Sequence, residues 1–191
     1  MSRLQWLRER QKGIGGSDVP ALILPPEKYR WKRPADIWRS KVEPVTEGRQ
    51  SLAAEVGTFC EPLVARLFTR ATGIAVHQDR RHFQHPDYPF MLANIDRKVS
   101  RQRAGLECKT TSAYRDKLFT EELFPLEYFC QIQHYLAVTG WDYWYLAALI
   151  GNHRFVHYKV ERDEVFIRDV LIPTEVRFWE TVVSRENIWE V

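Results

Sequence analysis

The sequence predicts an α/β (α+β) fold, a central mixed β-sheet flanked by helices, in one domain over residues 1–191. Three stretches carry that prediction. From Gln50 to Thr72 apolar residues recur at intervals of three and four and Gly73 follows, the pattern of a long amphipathic helix with a glycine stop. Trp141–Ile150, WDYWYLAALI, is aromatic and apolar with no polar face, as an interior strand requires. Between them, Phe90–Thr111 sets two apolar runs around a polar, glycine-containing turn, which predicts a hairpin with strands over Phe90–Val99 and Leu106–Thr110. Strands and helices mixed along one chain assemble most simply as a sheet covered by helices.

Composition bounds the rest. The 191 residues suffice for a proper core, and 45% hydrophobic with 28% charged residues excludes a disordered chain. A net charge of +3 permits a nucleic-acid partner without demanding one. Local clusters say more: Arg8, Arg10 and Lys12, then Lys28, Arg30, Lys32 and Arg33, then Arg97, Lys98, Arg101 and Arg103. Each suits a phosphate backbone and equally suits a solvated surface. Cys60, Cys108 and Cys130 lack the close spacing of metal ligands and read as small core residues in a reducing compartment. MSRLQWLRERQ is too charged for a secretory leader, and no run of about 18 apolar residues occurs. The expectation is a cytoplasmic protein without membrane association.

In chain order, Ser2 caps a short helix over about Arg3–Arg10. The glycine-broken loop Gly13–Asp18 follows, and Ser17 reads as the N-cap of a second short helix with Pro20 in its first turn. A loop exposing N–H groups at a helix start, here through Gly16 and Ser17, is a natural anion site, with Arg10 just upstream. The plainer reading makes Ser17 a cap and Arg10 a surface charge. Leu24–Glu47 is irregular and basic apart from a brief helix at PADIWRSKV, and it sets Tyr29 and Trp31 between cations. Those rings either grip an unpaired base or pin the segment into the core. In the long helix, Leu52, Val56, Phe59, Cys60, Leu63, Leu67 and Phe68 form the predicted core face. Another face carries Ala54, Gly57, Glu61 and Ala65, and Pro62 is expected to bend the helix beside Glu61. Glu61 among small residues is a candidate third carboxylate.

Ile74–Phe83 contains short strand material and His85–Pro89 a turn, and His77, His82 and His85 match no compact ligand spacing. Tyr114–Phe124 reads as a loop with a short helix that could approach DNA. Pro125 opens a helix to Thr139, closed by Gly140, with a core stripe of Leu126, Phe129, Cys130, Gln133, Leu136 and Ala137. Gln131 and Tyr135 sit one turn apart on an adjacent face. Arg154–Val160 pairs with the preceding strand, and Arg162–Ser184 is helical but interrupted at Pro173, with Phe178, Trp179 and Trp189 as packing aromatics.

The chemistry gathers on the hairpin. Asp96 is placed on its first strand, and alternation puts Glu107 and Lys109 on one face of the second, Leu106 and Cys108 on the other. Two carboxylates are what Mg²⁺ asks of a protein, and a nearby ammonium steadies a phosphoryl transition state. The implied reaction is phosphodiester hydrolysis.

Together with RQKGIGGSDVPALI at Arg10–Ile23, GTFCEPLVARLF at Gly57–Phe68, FMLANID at Phe90–Asp96, GLECKTT at Gly105–Thr111, QIQHYLAVTG at Gln131–Gly140 and HYKVERDE at His157–Glu164, the chain resembles the phage lambda exonuclease, or YqaJ-like viral recombinase, family of the PD-(D/E)XK nuclease superfamily. Ile95 stands where the superfamily name has proline. The resemblance implies that Asp96, Glu107 and the Cys108 carbonyl ligate Mg²⁺, for which Mn²⁺ substitutes, with two ions per site. It makes Lys109 the residue that activates or orients water, Glu61 a completing carboxylate and Gln131 the start of a Q-x-x-x-Y helix. Arg10 and Ser17, with Gly16 in their loop, match the holders of a 5′-terminal phosphate. The activity so implied is 5′-to-3′ digestion of double-stranded DNA ends. It would leave a 3′ tail, act from a ring-shaped homotrimer and hand that tail to a single-strand annealing protein, in a phage or prophage setting. A site-specific endonuclease and a non-catalytic DNA-end-binding scaffold are the alternatives.

Overall fold

The structure is a computed structural model and describes residues 2–46, 48 and 50–189; Glu47, the end of the basic segment, lies outside them. Its centre is a five-stranded mixed sheet of β2 (Val76–His77), β5 (Arg97–Val99), β6 (Ala104–Thr111), β7 (Tyr143–Ile150) and β8 (Arg154–Glu161), in the order β2-β5-β6-β7-β8. β6 and β7 run parallel, and the remaining neighbours are antiparallel. A smaller sheet joins β1 (Ile14–Gly15), β4 (Met91–Ala93) and β3 (Phe83–Gln84), with β4 in the middle. Parallel strands need a long crossover. The one between β6 and β7 holds α5 (Leu126–Thr139), which Gly140 ends in the left-handed conformation.

The predicted first hairpin strand is in fact two. Chain 90–99 breaks after Ala93, sending β4 to the small sheet and β5 to the large one, so Asp96 lies at a bend and not on a strand. Pairing restarts with Arg97 opposite Leu106. Beyond that point β5 no longer serves β6, and the Asp96 carboxylate takes over by accepting the Cys108 N–H at 2.8 Å. A side chain has replaced a rung of the ladder, which turns the carboxylate toward Glu107.

The long helix α4 (Leu52–Thr72) runs through Pro62 and ends at Gly73 in the left-handed conformation, but its predicted core face is largely wrong. Val64, Ala65 and Phe68 are buried, packing on Leu106 and Ala147, whereas Leu52, Val56 and Leu63 are exposed and Phe59 is 87% exposed. Of the small-residue face only Ala65 is buried; Gly57 lies within van der Waals reach of Thr110 and Ala54 is exposed. α5 also departs from a single stripe. It is buried on nearly every side from Glu127 to Val138, lying between the sheet and α2 (Val19–Ile23), although Leu126 itself is exposed.

Three further elements frame the site. α1 (Arg3–Gln11) is capped by Ser2 with Gln5 in a capping box, and α3 is the expected helix Pro34–Val42. Asp18, not Ser17, occupies the N-cap position of α2 and makes no capping bond, because its carboxylate is engaged elsewhere. The C-terminal segment is not interrupted at Pro173: α6 (Glu164–Phe166) continues through a π turn, Ile167–Leu171, into α7 (Ile172–Ser184). The wider turn, with the Ile172 N–H bonded to the Ile167 carbonyl, accommodates a proline that has no N–H to give. Trp179 stacks on Phe90, and Trp189 packs on Phe178. No described helix is long and apolar enough to cross a membrane.

Candidate active site

β6 places Glu107 and Lys109 on one face, as alternation requires, and Lys109 Nζ stands 2.5 Å from Glu107 Oε1. Cys108 packs with Leu106 in the apolar cluster on the other face. α5 lies over the charged face and delivers Gln131. Its Nε2 donates to Glu107 Oε1 at 2.8 Å and to the Tyr135 hydroxyl at 2.7 Å, and its Oε1 accepts from Lys109 Nζ at 2.9 Å. One amide thus fixes the relative positions of the carboxylate and the ammonium.

Charge in this cluster is out of balance. Burial first, then the neighbouring carboxylates of Glu107 and Glu61, push the Asp96 carboxyl well above the usual carboxylate range. Burial would lower the Lys109 ammonium, but Glu107 and Asp96 outweigh it and hold the group above an ordinary lysine, firmly charged. Glu107 Oε2 is buried with no hydrogen-bond partner. Leaving such an oxygen unsatisfied costs roughly 1–3 kcal/mol, more for a charged group. An orphaned carboxylate oxygen beside a second buried carboxylate is a donor set suited to a hard divalent cation. Glu61 reaches the cluster from α4 but ion-pairs with Arg97. Among the described residues no three His, Cys, Asp or Glu side chains are grouped as a ready metal cage. His77 and His82 instead contact Ser100 and Asn94, and His85 accepts N–H bonds within its own turn.

A second polar cluster lies one helical turn along α5, beside Tyr135. Arg10 Nη2 donates to Ser17 Oγ at 3.1 Å and to Asp18 Oδ1 at 2.6 Å. Lys41 Nζ reaches Asp18 Oδ2 at 2.8 Å, and Lys32 Nζ is 3.8 Å from Oδ1. Burial would raise the Asp18 carboxyl, but Arg10, Lys41 and Lys32 hold it well below the usual range. Arg10, Ser17 and Gly16 line a cavity of about 260 Å³ with Lys12, His82 and Tyr135. Gly16 must be glycine here, because a Cβ would stand 2.6 Å from Tyr135 Cε1. The same Tyr135 hydroxyl accepts from Gln131, so the cavity and the carboxylate cluster share a wall.

Tyr29 and Trp31 part company. Tyr29 is half-buried against the core, whereas Trp31 is 71% exposed with the Arg115 guanidinium 6.0 Å from its ring. Arg115 also lies 5.8 Å from the Tyr128 ring, and Lys109 Nζ stands 5.2 Å from that ring. Trp31 therefore stands near the charged cluster. In the sequence Asp18, Lys41 and Arg115 carry no sign of a site role, and Arg97 stands only in a basic cluster, next to Asp96. Nothing there foretells its burial.

These features belong to a known class. The profile of the YqaJ-like viral recombinase domain matches residues 5–142, and the chain belongs to that family. The YqaJ protein of Bacillus subtilis (strain 168) is 44% identical over 187 residues, a match covering 96% of this chain and 57% of YqaJ, so the chain spans little more than half of that relative. Among solved structures, the alkaline exonuclease LHK-Exo from Laribacter hongkongensis matches with a TM-score of 0.76 at 17% identity, covering 95% of this chain and 93% of LHK-Exo. Its complex with dAMP matches equally well, with a TM-score of 0.76 at 18% identity and the same coverage. A phage-related exonuclease from Haemophilus somnus 129PT gives 0.67 at 12% identity, covering 91% and 96% of the two chains. At these identities the likeness is one of fold.

Proposed function

We propose that residues 1–191 form a single nuclease domain, a Mg²⁺-dependent 5′-to-3′ exonuclease acting on double-stranded DNA ends. The observation that carries this reading is the orphaned Glu107 Oε2 beside Asp96, on a carboxylate held by Lys109 and Gln131. Asp96 and Glu107, with the Cys108 carbonyl, would hold the cation, and Glu61 stands beside them as a third carboxylate. When bound, Mg²⁺, or Mn²⁺ in its place, polarises the phosphodiester and neutralises its charge. Lys109 orients the attacking water and compensates charge as it grows on the phosphoryl oxygens. Gln131 keeps Lys109 and Glu107 at a fixed separation through both of its polar atoms.

The Arg10–Ser17 cavity supports end recognition. Arg10 and Lys12 line it against a single acidic residue, Glu9, so an added phosphate is favoured, and Gly16 lets the loop approach α5. Attack of water at phosphorus with departure of the 3′ oxygen leaves a 5′ phosphate on the remaining strand, which regenerates the group the cavity fits. Trp31 and Tyr29 border the path of the strand. The exposed apolar stripe Leu52, Val56, Phe59 and Leu63 supports self-association, in this family reading a ring-shaped homotrimer. The 3′ tail would pass to a single-strand annealing protein in the host cytoplasm.

The test is digestion of linear duplexes labelled separately at the 5′ and 3′ ends, beside covalently closed circles, in Mg²⁺ and in EDTA. Mg²⁺-dependent loss of the 5′-ended strand with circles spared is expected. Cut circles would replace this reading with an endonuclease, and end binding without cleavage would replace it with a scaffold.

A further inference from the structure

Arg97 begins β5, one residue after Asp96, and is only 9% exposed. Its Nη1 donates to the Asp96 main-chain carbonyl at 2.5 Å and ion-pairs with Glu61. The guanidinium therefore lies against the backbone of one proposed metal ligand and the carboxylate of another. A buried arginine in such a place is a fixed positive charge that cannot be neutralised by losing a proton.

We infer that Arg97 takes the place of a second cation, so that this site works with one divalent ion and Glu61 serves Arg97 and not a metal. This rests on the metal-dependent reading above, from which it departs in one respect: the family resemblance implies two ions with Glu61 among the ligands. Charge arithmetic favours one. With Asp96, Glu107 and Glu61 ionised, Lys109 and Arg97 leave a single uncompensated carboxylate. One divalent cation balances that carboxylate together with the single charge of a phosphodiester. A second would leave two uncompensated positive charges in a buried place, where such an excess is costly. Geometry agrees, because a second ion would have to compete for Glu61 with a guanidinium already bonded on two sides. A strand arginine is suited to this role, since β5 is locked to β6 by the Arg97–Leu106 pairing and cannot carry its side chain away. Arg97 is in these terms a positioning residue, acting on the reaction through Glu61 and the charge around Asp96.

The test is Mn²⁺ binding, read by calorimetry and by the paramagnetic resonance of free Mn²⁺. It uses the full chain with a duplex whose terminal linkage is a non-hydrolysable phosphorothioate. One ion per chain is expected for the unmutated protein. Glu61→Gln should leave the stoichiometry at one and the Kd within about twofold. Arg97→Gln, with Glu61 released and a positive charge removed, should bind a second ion. Two ions in the unmutated protein, falling to one in Glu61→Gln, would overturn the role of Arg97 while leaving the metal-dependent reading intact. No Mn²⁺ bound at all would overturn both. Because Glu61→Gln keeps the side chain's shape, the conclusion stands even if Arg97→Gln fails to fold.

Discussion

Two clusters that meet across the Gln131–Tyr135 turn of α5 hold opposite charge imbalances. At one, Asp18 is a single buried carboxylate facing Arg10, Lys41 and Lys32, an excess of cations beside a cavity. At the other, Asp96, Glu107 and Glu61 face Lys109 and Arg97, an excess of carboxylates with one oxygen unsatisfied. The first cluster lacks an anion and the second lacks a cation. A phosphorylated strand end with a divalent ion supplies both, and the Gln131–Tyr135 contact holds the two clusters in one rigid frame. The lesson is that a buried cluster's uncompensated charge, more than its residue types, states what it binds.

Breaking the cationic cluster at its hub should have the largest effect on stability. Asp18→Asn leaves Arg10 and Lys41 without their counter-ion and should cost about 3–5 kcal/mol near neutral pH, read from urea unfolding. The Asp18 carboxyl has a folded pKa below its unfolded value of about 3.9. Its contribution is therefore fully present above that value and is lost as pH falls through the lower folded one. The two proteins' unfolding midpoints should accordingly converge below about pH 4.

Breaking the anionic cluster should act on turnover and not on binding. Lys109→Ala should reduce kcat by roughly 10²–10³-fold or more while DNA affinity, measured in Ca²⁺, changes little. Arg10→Ala sharpens the comparison, because it should leave digestion of 5′-hydroxyl ends intact. Preference for 5′-phosphorylated ends should fall by about tenfold to a hundredfold, as loss of a charge-assisted bond worth about 1.5–3 kcal/mol implies. Equal digestion of both ends by the unmutated protein would remove the phosphate assignment. Smallest is Gly16→Ala, whose added methyl meets Tyr135 and should cost about 1–3 kcal/mol of stability, seen as a lowered Tm.

Much of the catalytic half was legible because it is local. Glu107 and Lys109 share a face by strand alternation, and Gln131 and Tyr135 meet by helical spacing. The rest depended on contacts distant in sequence. Asp96 read as a strand residue because apolar residues, Phe90–Ala93, Ile95 and Val99, flank it on both sides, and only the handover of the Cys108 N–H to its side chain produces the bend. In α4 the apolar residues at the start of the helix pointed to the wrong face, since Val64, Ala65 and Phe68 are the ones that pack on Leu106 and Ala147 while Leu52, Val56, Phe59 and Leu63 are exposed. Asp18 could not be separated from Ser17 as a cap, since its partners Lys32 and Lys41 arrive from a segment with no regular pattern before α3 and from α3 itself.

The most direct test of the charge-imbalance account is a crystal structure with Mn²⁺ and a 5′-phosphorylated duplex carrying a phosphorothioate at the scissile position, with the metal located by its anomalous scattering. The account predicts an anomalous peak within ligand distance of Asp96 and Glu107 Oε2, and the terminal phosphate against Arg10 and Ser17. Manganese at the Asp18 cluster, or a 5′ phosphate lying outside that cavity, would contradict it.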